Sequence, residues 1–357
     1  MKTHRIAVIP GDGIGQEVLP PTLGLLNACG ARFGIAFEWT HFDWSADYYF
    51  RHGRMMPENA LEQLRPHDAI LLGAVGHQDL PDNVTLNGLL LPIRRGFDQY
   101  ANVRPAVLFE GVRSPLADRR AGDIDMVVVR ENTEGEYAQI GGFLYHMQPE
   151  EVAVQSSVFT RRGCERVIRH AFELARRRNG KKRVASISKA NAQGYSMVLW
   201  DRSFSAVAAE FPDIATESLL VDAAAMNFVR RPHTFDVVVA SNLFGDILSD
   251  LSAMVCGSIG LAASANLDPT RRHPSMFEPV HGTAPDIFGK GIANPLAAFF
   301  SAAMMLDHLG HPEAARTVEQ AIAAVLASGK TKTADLGGSS TTTQVSEAVI
   351  SEVSSKA

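Results

Sequence analysis

The chain has 357 residues, 46% hydrophobic and 20% charged, ordinary globular proportions with enough apolar surface for a large core. Single cores stop growing near ~250–300 residues, so two domains or one large α/β unit are expected. A formal net charge of −5 argues against a nucleic-acid partner.

The N-terminus runs directly into a strand-like Ile6-Ala7-Val8-Ile9, without a signal-peptide pattern, and no apolar run approaches the ~18 residues of a membrane span. Cys29, Cys164 and Cys256 lack CxxC spacing, which excludes a disulfide framework or a self-contained zinc site and points to free buried thiols in a reducing cytoplasm. After the first strand comes Pro10-Gly11-Asp12-Gly13-Ile14-Gly15. Its glycines give GxGxG, not the GxGxxG of a dinucleotide fingerprint. The plain reading is a tight strand-to-helix turn. Further apolar runs at 69–72, 125–129, 184–187 and 236–240 predict buried strands, and 218–221 is strand-like. Residues 61–64 and 161–178 have helical patterns, as do Val345, Val349 and Val353 near the C-terminus. Such alternation predicts an α/β fold with largely parallel pairing. The basic run at 176–183 is expected to be a solvated helix end followed by an Asn-Gly turn.

The segment 235–250 is the richest in chemistry. A buried strand meets a helix on which Asp246 and Asp250, four residues apart, share one face. Such a pair is often merely solvated or capping. Without nearby His or Cys, however, its hard oxygens suit Mg2+ or Mn2+. Asp222, after the strand-like 218–221, is either a helix N-cap or a third carboxylate for such a site. Arg94, Arg104 and Arg130 stand beside loops or strand ends. Their guanidinium forks match carboxylates with paired hydrogen bonds. Any one of them alone is a surface ion pair; together with the acids they outline a pocket for a dicarboxylate and a metal.

Six segments in order carry a family resemblance: 9–15, 97–105, 129–137, Lys189-Ala190-Asn191, 242–250 and 278–286, the last reading Glu-Pro-Val-His-Gly-Thr-Ala-Pro-Asp. They resemble the β-decarboxylating dehydrogenases, a family that includes isopropylmalate, isocitrate, homoisocitrate, D-malate and tartrate dehydrogenases. The resemblance covers essentially the whole chain. It implies an isopropylmalate dehydrogenase-like two-domain α/β fold, non-Rossmann, with the active cleft between the domains. Residues 1–100 plus 255–357 would form the discontinuous cofactor-binding domain. Residues 101–254 would form the substrate, metal and dimerisation domain. The implied assembly is a cytoplasmic homodimer with shared active sites.

By the same resemblance, Tyr137, Lys189 and Asp222 transfer protons, with Lys189 and Asp222 reaching in from the partner subunit. Asp222, Asp246 and Asp250 hold Mg2+ or Mn2+. Arg94, Arg104 and Arg130 clamp the substrate carboxylates, with Leu90 in the substrate loop. Asn191, His281, Gly282, Thr283, Ala284, Asp286 and Asn294 bind the cofactor. Asp286 favours NAD, since an acid bonds ribose hydroxyls but repels the extra phosphate of NADP. Whether a monovalent cation assists is left open. The substrate loop, 83–94, has Gly88 and Leu90 where isocitrate enzymes carry Ser and Asn, and Asn87 where isopropylmalate enzymes carry Glu. Residues 42–49 and 96–102 look closest to the tartrate and D-malate members. The expected reaction is therefore NAD-linked oxidation, with decarboxylation, of a small 2-hydroxy dicarboxylate. 3-Isopropylmalate is the alternative substrate. A non-catalytic regulatory relative is the alternative of another class, and the intact set Tyr137, Lys189, Asp222, Asp246 and Asp250 speaks against it.

Overall fold

The computed structural model describes residues 2–355. Strand β1 (Lys2–Gly11) turns into α1 (Gly15–Phe33), followed by β2 (Ile35–His41), α2 (Ala46–His52), α3 (Ala60–Leu64) and β3 (Ala69–Ala74). Helix α4 (Asp82–Thr85), a π-helical turn (Leu86–Leu90) and α5 (Leu91–Gly96) lead to β4 (Ala101–Val107) and β5 (Asp125–Glu131). A two-stranded arm, β6 (Gly135–Leu144) and β7 (Val152–Val158), precedes α6 (Arg161–Arg178), β8 (Arg183–Ser188) and α7 (Ser196–Ala208). Then come β9 (Ala215–Leu220), α8 (Val221–Arg230), β10 (Val237–Ala240) and α9 (Asn242–Val255). The remaining elements are β11 (Ala263–Leu267), β12 (Ser275–Pro279), α10 (Leu296–His308), α11 (Pro312–Ser328) and α12 (Thr342–Ser355).

Ten strands form one sheet in the order β2-β1-β3-β12-β11-β4-β5-β10-β8-β9. Its flanks are parallel, as the alternation of strands and helices predicts. The centre is antiparallel, between β12, β11, β4 and β5. Strands β4, β11 and β12 carry no continuous apolar run because many of their buried positions are polar: Asn102 and Arg104, Ser264 and Asn266, Ser275 and Glu278. Pro105 is tolerated within β4 because β11 pairs only with residues 101–103, so one side of the strand is free there.

The apolar interior falls on either side of this centre. One core surrounds Val128, Ile168, Phe172, Trp200 and Val238. Another gathers both ends of the chain around Leu25, Phe299, Ile322 and Val349. A third, around Trp44, Ile93 and Phe97, lies on the opposite face of that half of the sheet. The alternation along β1 shows this division: Ile6 and Val8 enter the second core, Ala7 and Ile9 the third. The molecule is an α/β fold on one mixed sheet, with β4 and β11 as the seam between its cores.

The N-terminal glycines serve packing, as read from the sequence. Gly11 and Gly13 have positive φ, 67° and 52°. A Cβ on Gly11 would lie 1.9 Å from the Ala74 carbonyl oxygen, and one on Gly13 2.2 Å from that of Thr283. Helix α6 covers the predicted 161–178 and ends at Asn179 in the left-handed conformation. Its terminal arginines are not simply solvated: Arg178 bonds Asp125 (2.7 Å) and Asp236 (3.1 Å). The three cysteines are buried and free. Among the described residues no helix is long and apolar enough to cross a membrane.

Candidate active site

The parallel strands β5, β10, β8 and β9 end on one edge of the sheet, and there stand Arg130 at the end of β5, Lys189 just after β8, Asp222 on α8 and Asp246 and Asp250 on α9. Ligands of open α/β sheets bind at such carboxyl-terminal edges. Arg130 is the penultimate residue of β5 and is fully buried. Its Nε and Nη2 both donate to Asn242 Oδ1 (2.9 and 2.7 Å), and its Nη1 donates to Asp246 Oδ1. From β4, Arg104 Nη1 reaches Asp246 Oδ1 (3.2 Å), Ser249 Oγ (2.8 Å) and Asp250 Oδ1 (3.6 Å). The Tyr137 hydroxyl donates to Asp246 Oδ2 (2.7 Å), and its ring lies under the Arg130 guanidinium at 5.1 Å. One chain therefore brings together Arg104, Arg130, Tyr137, Asp246 and Asp250. Arg94 borders this group and pairs with Glu278 Oε1 at 2.8 Å.

The fields within the cluster follow from burial and mixed charge. Burial pushes the Arg130 pKa down to about 10, opposed by Asp246 and reinforced by Arg104 and Arg94. Arg130 is thus still a cation at neutral pH. Burial, then the Asp246 charge and hydrogen bond, pushes the Tyr137 phenol up to about 12, so it is protonated and able to donate. For Asp246, burial acts upward but is outweighed by Arg130, Arg104 and the Tyr137 hydrogen bond, so its carboxyl stays below the usual range. Asp250 moves the other way, raised by burial despite Arg104 and further by the neighbouring Asp246.

Asp246 and Asp250 lie one turn apart on α9 and both face Arg104. Two hard carboxylates with one of them disfavoured by the other suit a divalent cation. They are two donors only: among the described residues no three His, Cys, Asp or Glu converge as a metal site. Asp222 stands in the first turn of α8, paired with Lys189 Nζ at 2.5 Å. Lys189 lowers the Asp222 pKa, and the Asp222 side chain is 58% exposed. The donor chemistry fits Mg2+ or Mn2+ if a third carboxylate comes from another chain.

The loop after β12 packs on the glycine turn, with Ile14 N–H donating to the Thr283 carbonyl at 3.0 Å. His281 is buried with Nε2 unpartnered, and burial lowers its pKa. Gly282 and Asp286 are exposed, and Ala284 holds a φ of 42°. A non-glycine residue held there stores local strain, a frequent property of binding loops. Asn294 is committed elsewhere: it donates to Asp335 (2.9 Å) and accepts from Leu296 N–H (3.0 Å). Asn191 lies on the exposed turn after Lys189. Leu90 ends the π-helical turn, half-buried against the third core.

Sequence reasoning missed several supporting groups. Glu278, in the same motif as His281, binds both Arg94 and Asn266. Asn242 orients Arg130, and Glu136 accepts from Ser241 Oγ (2.7 Å) and Leu243 N–H (3.1 Å) at the start of α9. Their positions inside the specific motifs were the available signal.

With this geometry in place, comparison with known proteins is decisive. The sequence model described as isocitrate/isopropylmalate dehydrogenase matches residues 5–349. The chain belongs to the isocitrate/isopropylmalate dehydrogenase family. It is 51% identical over 356 residues to the D-malate dehydrogenase (decarboxylating) of Escherichia coli K12, covering 98% of each chain. It is 50% identical over 355 residues to the tartrate dehydrogenase/decarboxylase of Pseudomonas putida, covering 97% of each. Among solved structures, the isocitrate dehydrogenase of Methylococcus capsulatus matches with a TM-score of 0.89 at 37% identity, over 98% of this chain and 99% of that one. The family read from the six sequence segments is therefore the right one.

Proposed function

We propose that this chain is an NAD- and divalent-metal-dependent dehydrogenase that oxidises and decarboxylates D-malate or tartrate. The observation that carries the reading is the Arg104–Arg130–Tyr137–Asp246 constellation, in which two guanidinium groups and a proton-bearing phenol surround one acid of the candidate metal pair. The relatives that act on D-malate and tartrate, at about half identity, support the substrate class.

In this reading Arg94, Arg104 and Arg130 hold the two carboxylates of the substrate, and their burial makes each contact stronger than in water. Asp246 and Asp250, with Asp222 of a second chain, would hold Mg2+ or Mn2+, which would supply Lewis-acid polarisation of the substrate oxygens. Residues 281–286, with Asp286 for the ribose and with Asn191 and Asn294, would hold NAD, which would supply the acceptor for the hydride of C2. Lys189 takes the hydroxyl proton as that hydride leaves, its own proton passing to the Asp222 carboxylate that it contacts. The resulting β-keto acid loses its carboxylate as CO2, and Tyr137 delivers a proton to C3.

A second copy is part of the proposal. The arm exposes Ile140, Phe143, Leu144, Met147, Val152 and Val154, and α8 and α9 expose Met226, Val229, Ile247 and Met254. An apolar surface of this extent is what a homodimer buries. The same reading divides the chain into residues 1–100 with 255–357, and 101–254, and places it in the cytoplasm, where three buried free thiols persist.

The test is a comparison of kcat/KM for D-malate, the tartrate stereoisomers and 3-isopropylmalate, with NAD against NADP and Mn2+ present. A preference for D-malate or tartrate with NAD is expected; a preference for 3-isopropylmalate or NADP overturns the corresponding part. Chelator should abolish the rate and added Mn2+ restore it, whereas a chelator-resistant rate removes the metal.

A further inference from the structure

Tyr137 lies in an irregular stretch of the arm. Gly135 pairs with Val158 and Ile140 with Ser156, so residues 136–139 of β6 face only residue 157 of β7. Such a bulge turns side chains out of register and leaves carbonyls without ladder partners. Here the side chains of two other residues take them. Gln155 Nε2 donates to the Ala138 carbonyl (2.6 Å), and Arg95 Nη2 donates to the Tyr137 carbonyl (2.5 Å). The other prong, Arg95 Nη1, donates to Gln139 Oε1 (3.1 Å). Residues 137 and 139 lie two apart on one strand, a spacing that a planar guanidinium fork can span.

Arg95 comes from a different part of the molecule. It sits on α5 beside Arg94, and adjacent helical residues point apart. Arg94 turns inward to Glu278 of β12, while Arg95 reaches the arm. The segment that ends the substrate loop is thereby tied to the strand bearing the proton donor.

We propose that Arg95 is a positioning residue for Tyr137: its fork holds the bulge in the conformation that aims the phenol at Asp246. This rests on Tyr137 being the proton donor. Loss of the fork lets the phenol drift, and a misplacement of ~1 Å costs about 100-fold in rate. Arg95→Met should lower kcat by about 10- to 100-fold with KM changed less than about twofold, because proton delivery and not binding is impaired. The solvent deuterium isotope effect on kcat should rise. Arg95→Lys, which keeps one donor but not the fork, should recover part of kcat, and it carries the same comparison if Arg95→Met does not fold.

A double-mutant cycle with Tyr137→Phe, run on the full-length enzyme with metal and NAD, decides the matter. A residue acting only through the phenol costs nothing further once the hydroxyl is gone, so Arg95→Met should have no added effect in the Tyr137→Phe background. Multiplicative losses, or a loss confined to KM, overturn the positioning role while leaving Tyr137 as donor. A Tyr137→Phe enzyme with unchanged kcat overturns the donor itself, and the Arg95 proposal with it.

Discussion

The arginine–acid cluster and the Lys189–Asp222 pair stand at the same edge of one sheet, yet they are built in opposite ways. Arg104 and Arg130 are buried and bonded to Asp246, Ser249 and Asn242, so their charges are matched within the chain. The Asp222 side chain is 58% exposed and that of Lys189 29%, and each has the other as its charged partner. A buried charge is tolerated only when paired, so the cluster must be assembled as the chain folds. An exposed pair is held weakly and is free to meet another molecule. The difference teaches that one half of the candidate site has its charges paired within the chain, whereas the other is exposed, as the proposed dimer requires.

The largest effect should come from breaking the buried half. Arg130→Met leaves Asn242 without its buried cation and Asp246 with Arg104 alone. Breaking a buried ion pair costs about 3–5 kcal/mol, and an equal loss at the transition state would lower kcat/KM by about 1,000-fold. Steady-state kinetics with D-malate and tartrate measure it. A loss below about tenfold would mean that Arg130 is structural and does not touch substrate.

The outward half predicts complementation. Lys189→Met and Tyr137→Phe homodimers should each be nearly inactive. If each site takes Lys189 from one chain and Tyr137 from the other, a mixed dimer keeps one intact site. Random reassociation gives about half mixed dimers, and hence about a quarter of the original activity. No recovery after denaturation and refolding of the mixture would place Lys189 and Tyr137 in the same chain's site.

The same contrast explains what could be read from the sequence. Parallel flanks such as β5, β8 and β10 were legible because strands buried on both faces write continuous apolar runs. The seam was not, because β4, β11 and β12 bury Asn102, Asn266 and Glu278, which bond one another across strands and look like loop residues in one dimension. Asp246 and Asp250 were legible from their i,i+4 spacing, and both do face Arg104. Arg95 could not be found that way: its partner is a backbone carbonyl freed by a bulge, and no residue type announces that.

The smallest effect concerns a buried polar group that, unlike the cluster, has no partner. His170 on α6 is 5% exposed, and neither ring nitrogen makes a hydrogen bond. Burial, with Arg177 adding to it, pushes its pKa down to about 4 from 6.5. Between those values the unfolded chain binds a proton that the native state refuses, so stability falls as pH drops from 6.5 toward 4 and changes no further below that. The full span is worth about 3 kcal/mol, and at pH 5.5 about 1.4 kcal/mol, at ~1.4 kcal/mol per pKa unit. His170→Leu removes this term. Denaturant midpoints of the two proteins should lie close together at pH 7.5 and separate in favour of the variant as pH falls through 6. Other buried histidines such as His308, also held near 4, act on both proteins alike and cancel in the difference. Parallel losses in the two proteins would mean that His170 accepts its proton in the folded state, and that an unpaired polar group is better accommodated there than in the arginine cluster.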